Sequence, residues 1–189
     1  MEWIVIDESG SKWFKRGRCG AKGALGPLLW ISLDGMQADE NSEPTYYNSL
    51  YKHGVDEKRR LQIPAKWRPA EPNIEFTLIV WPKSKEGPCL RALPPGQMAK
   101  MMREIDAMPN TDPNKTVLKR FIGSESVQVA LDKAGRICLP DAMAAAAGIS
   151  EEATLVGLLD RFEIWNPERY EKVRASDAVM AQEAFKMME

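Results

Sequence analysis

Apolar and polar positions settle into a repeating order from about Tyr51 onward. Thr77-Leu78-Ile79-Val80 and Thr154-Leu155-Val156-Gly157 are short apolar runs of strand length. Val127-Gln128-Val129-Ala130-Leu131 and Phe162-Glu163-Ile164-Trp165 alternate, which puts mostly apolar side chains on one face of a strand. Ala142 to Ala147 predict a brief helix stopped by Gly148. Asn166 can cap a second helix whose first turn takes Pro167, where a missing N–H costs nothing. Its apolar stripe runs through Tyr170, Val173, Ala181, Ala184, Phe185 and Met188. Pro95 opens an earlier helix with Met98, Met101, Met102 and Ile105, expected to fray at Asp106 to Met108 because Pro109 disfavours helical geometry before it.

The pattern occurs twice. Gly54-Val55-Asp56-Glu57-Lys58-Arg59-Arg60-Leu61-Gln62-Ile63-Pro64 matches Ala130-Leu131-Asp132-Lys133-Ala134-Gly135-Arg136-Ile137-Cys138-Leu139-Pro140 at a constant offset of 76 residues. Both read Asp-x-x-x-Arg-apolar-x-apolar-Pro, and such self-similarity marks a duplicated structural unit. Each copy reads as strand, turn, strand, a short helical or irregular piece, a hairpin and a helix. The fold class is therefore mainly β with short helices, α+β. The expected divisions are a tail at 1–48, a first module at 49–108, a Pro/Asn/Asp/Thr-rich linker at 109–115, a second module at 116–175 and a C-terminal helix extension at 176–189. Residues 1–48 show no sustained strand or helix period. They read as a disordered tail, as a basic arm touching phosphates, or as the product of a start site upstream of Met36.

Bulk composition narrows the function. The 189 residues carry a formal net charge of −1, so nucleic-acid binding needs charge gathered into patches or shared among subunits. Three cysteines (Cys19, Cys89, Cys138) without a CxxC pair, and one histidine, His53, argue against a disulfide framework and a catalytic triad and all but exclude a His/Cys zinc site. The pattern suits a reducing cytoplasm. No apolar run approaches the roughly 20 residues of a membrane span, and no cofactor motif is present, so neither enzyme nor membrane partner is expected.

The chemistry concentrates in the two turns. Each lies between apolar strand-like runs, so each should be an exposed hairpin turn. Gly135 supplies the positive φ a tight turn often needs, and Arg59 stands at that place in the first copy. The cations are Lys58, Arg59 and Arg60 in one turn, Lys133 and Arg136 in the other. Asp56 and Asp132 can accept backbone hydrogen bonds or orient the arginine four residues on. One such turn is what any soluble hairpin contains; an arginine at the same place twice is not required by turn geometry. From Lys52 to Arg68 six cations stand against two acids. Arginine contacts phosphate or the guanine edge bidentately, and a two-stranded ribbon fits the major groove. Trp67, Trp81 and Trp165 are read as core rather than as base-stacking platforms, and the helix methionines as packing or an oligomer surface.

Asp132-Lys133-Ala134-Gly135-Arg136-Ile137-Cys138-Leu139-Pro140, with Gly148, Val156-Gly157 and Arg161-Phe162-Glu163-Ile164-Trp165, resembles the second half of MraZ proteins. Asp56 to Ala65 resembles the first half, and the likeness covers roughly residues 51–175. The resemblance implies tandem AbrB-like swapped-hairpin domains interlocked into one β-barrel-like body. It also implies a homo-oligomeric ring and a nucleoid-associated regulator that binds double-stranded DNA at short promoter repeats of the division and cell-wall gene cluster. DNA contacts would then map to Asp56, Lys58, Arg59, Arg60, Asp132, Lys133 and Arg136, with no small-molecule cofactor. The alternative is a β-rich oligomeric scaffold or antitoxin-like partner that binds protein. Arg59 departs from the glycine usual in the family's first turn, and the tail before about Tyr47 has no counterpart there.

Overall fold

A computed structural model describes residues 3–6 and 12–15 by their backbone, and residues 45–71, 74–82 and 86–187 in full. The chain divides into two units, Met1–Ser42 and Glu43–Glu189. In the first, β1 (Trp3–Ile6) and β2 (Lys12–Lys15) pair antiparallel, with Ile4 opposite Phe14. A strand pair was not expected there; four residues are too few for a period to stand out. The expected disordered tail or basic arm otherwise lies outside the described residues.

The second unit has the mixed α+β character expected. In chain order it contains β3 (Leu50–Gly54), β4 (Arg60–Gln62), a 3-10 turn (Ala65–Trp67), β5 (Glu75–Trp81), β6 (Cys89–Leu93), α1 (Pro95–Ala107), α2 (Pro113–Ser124), β7 (Ser126–Ala130), β8 (Arg136–Cys138), α3 (Asp141–Ala147), β9 (Glu152–Gly157), β10 (Phe162–Trp165) and α4 (Pro167–Lys186). Six strands form one antiparallel sheet in the order β3-β9-β10-β6-β5-β7, and β4 pairs with β8 in a separate ribbon. The sheet ends at β3 and β7 rather than closing, so the described strands make no closed barrel.

The pairing interlocks the two copies. The first strand of each copy joins the third strand of the other: β3 lies on β9, and β7 lies on β5. Equivalent strands face one another on a local twofold axis, β6 on β10 and β4 on β8. Leu61 therefore sits opposite its own equivalent, Ile137, and Arg91 opposite Glu163. Neither copy has a complete sheet alone, so the modules are not separate bodies.

Both faces of the sheet are covered, which explains why its inner strands are apolar almost continuously. Phe76, Leu78, Leu90, Ala92, Leu155, Phe162 and Ile164 face the ribbon, α3 and Trp67. Alternate residues face the helices: Ile79 and Leu93 meet Ile105 and Ile122, while Cys89 and Trp165 meet Val173 of α4. Trp67 and Trp165 are fully buried, as a core role requires. Tyr47, expected in the tail, is core. It pairs with Leu159 through 2.8 Å backbone bonds in both directions and packs edge-on against Trp67.

Local signals account for the helix ends. Asn166 caps α4 by accepting from the Arg169 N–H at 3.0 Å, and Gly148 ends α3 with φ +67°. α1 persists to Ala107, close to the expected fraying point. The stretch 109–115 is not linker throughout: Asp112 accepts from Asn114 N–H, Pro113 takes the first helical position, and α2 follows. No helix among the described residues is long and apolar enough to cross a membrane.

Candidate nucleic-acid interface

The two Asp-x-x-x-Arg turns share one hydrogen-bond scheme. In the first, Asp56 Oδ1 accepts from the backbone N–H of Lys58 at 3.0 Å and of Arg60 at 2.9 Å, and Oδ2 accepts from Arg60 Nε at 2.7 Å. In the second, Asp132 Oδ1 accepts from Ala134 and Arg136 N–H, both at 2.9 Å, and Oδ2 accepts from Arg136 Nε at 2.9 Å. A backbone bond closes each turn, from Arg59 N–H to Asp56 and from Gly135 N–H to Asp132, each at 2.8 Å. An aspartate at the start of a turn does both jobs because its two oxygens lie at the right distance from the backbone and from a side chain four residues on.

These bonds set the charge state. The Arg60 backbone N–H foremost, helped by its guanidinium and by the Lys58 N–H, holds the Asp56 carboxyl below its ordinary range against the opposing effect of desolvation. The backbone and guanidinium of Arg136 do the same to Asp132. Both acids thus stay ionised and orient the arginines, Asp56 holding Arg60 at Nε and Asp132 holding Arg136 at Nε and Nη2. The side chains of Arg60 and Arg136 are 34% and 30% exposed, enough for contact while their stems stay ordered.

The ribbon brings the turns together. Leu61 and Ile137 point inward to the core, so Arg60, Gln62, Arg136 and Cys138 line the outer side. Arg136 Nη1 lies 3.8 Å from Asp56 Oδ2, linking one turn to the other. Lys58 and Lys133 stand exposed at the tips. Six of the seven residues singled out from sequence, all but Arg59, thus gather at the ribbon's outer side and turn tips. Arg59 has φ +58°, equivalent to Gly135 at +77°, and its side chain turns back onto α3, reaching Asp141 Oδ1 at 3.2 Å and the Ile149 carbonyl at 3.2 Å.

The sequence counted Arg68 among the cations of the Lys52–Arg68 patch but gave it no place at the second turn. Pro69 disfavours helical geometry in the residue before it, and Arg68 is extended (φ −77°, ψ 130°), ending the 3-10 turn. The Arg68 guanidinium then lies directly over Gly135, where a Cβ would collide with it, and its Nε donates to the Ile63 carbonyl at 2.9 Å. Arg68, Asp132, Lys133 and Gly135 border a shallow cavity of about 400 Å³ beside the second turn. In the second copy the place of Pro69 is taken by Ala145, and a true helix, α3, forms instead.

Two copies of one strand-turn-strand unit, interlocked about a local axis and carrying matched acid–base turns, define a tandem swapped-hairpin protein. The family model described as "MraZ protein, putative antitoxin-like" matches residues 122–187. The chain is 33% identical over 139 residues to the transcriptional regulator MraZ of Clostridium acetobutylicum, spanning 74% of this chain and 94% of that protein. It is 32% identical over 140 residues to that of Roseiflexus castenholzii, again 74% and 94%, and 31% identical over 135 residues to that of Caulobacter vibrioides, 71% and 86%. The chain belongs to the MraZ family. Its relatives carry the name of a regulator, not of an enzyme.

Proposed function

We propose that this protein is a DNA-binding transcriptional regulator that grips short promoter repeats, upstream of the division and cell-wall gene cluster, through its two Asp-x-x-x-Arg turns. The observation that carries this reading is the juxtaposition of the turns: the same charge-assisted scheme twice, side by side on one exposed ribbon. Arg60 and Arg136 contact phosphates or guanine edges, Lys58 and Lys133 add point charges, and Asp56 and Asp132 orient the guanidinium groups. Arg59 adds field strength from behind the first turn. A ribbon of two short strands fits the major groove.

Weak net charge per chain is compatible with this if several chains bind one promoter, because contacts on separate repeats sum. Exposed apolar side chains on α2 (Val117, Leu118, Phe121) and on α4 (Val179, Met180, Phe185) support association between copies, and a homo-oligomeric ring at the nucleoid, in the cytoplasm, is the assembly proposed. The antitoxin-like description of the matching family model supports a second reading, in which the same apolar helix positions hold a protein partner.

Gel-shift titration against salt tests the proposal. Arg60→Ala and Arg136→Ala each weaken binding by at least several-fold, and each reduces the salt slope by about 1 if the lost contact is to phosphate. Unchanged affinity with a flat salt slope removes the DNA assignment.

A further inference from the structure

The local twofold axis brings a second set of equivalent contacts to the turns, from side chains that touch no acid. Gln62 in β4 and Cys138 in β8 occupy the same place in the two copies, next but one after the turn arginine. Each reaches across the ribbon to the turn of the other copy. The Gln62 amide Nε2 donates to the carbonyls of Ala134 at 3.1 Å and Gly135 at 3.0 Å. Cys138 Sγ lies 3.5 Å from the carbonyl of Lys58, the residue equivalent to Ala134. The backbone repeats the same crossing: Ile63 N–H donates to Gly135 at 3.0 Å, and Leu139 N–H donates to Arg59 at 2.9 Å. Every turn is thus held from inside by its own aspartate and from outside by the opposite copy.

The two outside holds differ in strength. An amide NH2 offers two good donors, and Gln62 meets two carbonyls of the opposite turn besides that of its neighbour Ile63 at 3.4 Å; a thiol offers one weak donor and meets one. We propose that residues 62 and 138 are a matched pair of positioning residues, each fixing the other copy's cationic turn for DNA, and that the thiol of Cys138 leaves the first turn the looser of the two. This rests on the DNA-binding reading. It also explains the placement of Arg59: the turn with the weak outside clamp has its own side chain tied to Asp141 and Ile149, whereas Gly135 has no side chain and is clamped by Gln62.

The test uses the full chain and four variants: Gln62→Ala, Gln62→Cys, Cys138→Gln and the exchange variant carrying both Gln62→Cys and Cys138→Gln. Backbone amide hydrogen exchange at 58–60 and 134–136 is read by nuclear magnetic resonance without DNA. Affinity is read by fluorescence anisotropy on a duplex that the unaltered chain enriches from a random pool. Gln62→Ala speeds exchange in 134–136 and weakens binding roughly three- to tenfold; Gln62→Cys gives a smaller loss. Cys138→Gln slows exchange in 58–60 and tightens binding, and the exchange variant moves the looser turn from the first copy to the second. Exchange unaffected by any of the four overturns the clamp. Altered exchange with unaltered affinity overturns its role in DNA binding. If the unaltered chain enriches no duplex, the functional reading fails, while the exchange rates still decide the clamp.

Discussion

The two copies agree where the turns are built and differ where each is supported. Asp56 with Arg60 and Asp132 with Arg136 make the same bonds, the backbone one at 2.9 Å in both and the side-chain one at 2.7 and 2.9 Å. Among the equivalent places where the copies diverge are Arg59 against Gly135, Gln62 against Cys138, and Arg91 against Glu163. Duplication within one chain permits this. In a pair of identical chains, a residue on the twofold axis meets its own kind, so a buried charge there would be repelled by its twin. In a fused pair one copy can carry the cation and the other the anion. Arg91 Nη2 bonds Glu163 Oε1 at 2.8 Å, Glu163 Oε2 accepts from Trp165 Nε1 at 3.0 Å, and the Arg91 guanidinium lies 3.8 Å from the centre of the Trp81 ring. The asymmetric pair rewards pairing of copy one with copy two and disfavours either copy pairing with itself across chains.

Breaking that axial pair gives the largest effect. Glu163 is almost wholly buried, so Arg91→Leu strands a charge and costs about 3–5 kcal/mol in urea denaturation. Arg91→Leu with Glu163→Leu recovers most of that loss, because no charge remains unpaired. A single variant as stable as the unaltered chain would show that the pair does not hold the two copies together.

A smaller effect separates the turn tips. Gly135→Ala places a Cβ at positive φ against Arg68 and costs about 1–2 kcal/mol in the same assay. Arg59→Gly relieves the same backbone geometry but loses the ties to Asp141 and Ile149, so its net change stays under about 1 kcal/mol. Equal losses at the two places would show that the tips are supported alike.

The pH dependence is the mildest and the same for both turns. Asp56 and Asp132 have folded-state pKa values below the ordinary 3.8, so their contribution to turn order is fully present above that value. It is lost as pH falls through the lower folded values. Amide chemical shifts of the turns should stay flat from neutral pH to about 4 and move together below it; a transition between pH 5 and 7 contradicts the assignment.

What the sequence revealed was local. The Asp, Arg and Pro recurring at one offset, the αL glycines at 135 and 148, and the Asn166-Pro167 helix start depend on neighbours a few residues away, and all stand where the pattern puts them. The crossed pairings join residues far apart in the chain, Lys52 with Thr154 between β3 and β9 and Phe76 with Val129 between β5 and β7, and no local period encodes them. α2 escaped notice because its start is rich in Pro, Asn and Asp and its apolar residues Val117, Leu118 and Phe121 are left half-covered. Tyr47 looked like tail because its partners, Leu159 and Trp67, lie elsewhere in the chain. Arg68, Gln62 and Cys138 went unnoticed as supports for the same reason: each acts on a turn of the other copy.

Titrating an isotope-labelled chain with its enriched duplex tests the central claim most directly. Amides of 56–60 and 132–136 should shift together, at one stoichiometry and with the same salt dependence, while those of α1, α2 and α4 stay in place or respond weakly. Shifts confined to the helices, or to one turn alone, would contradict a shared DNA-binding ribbon.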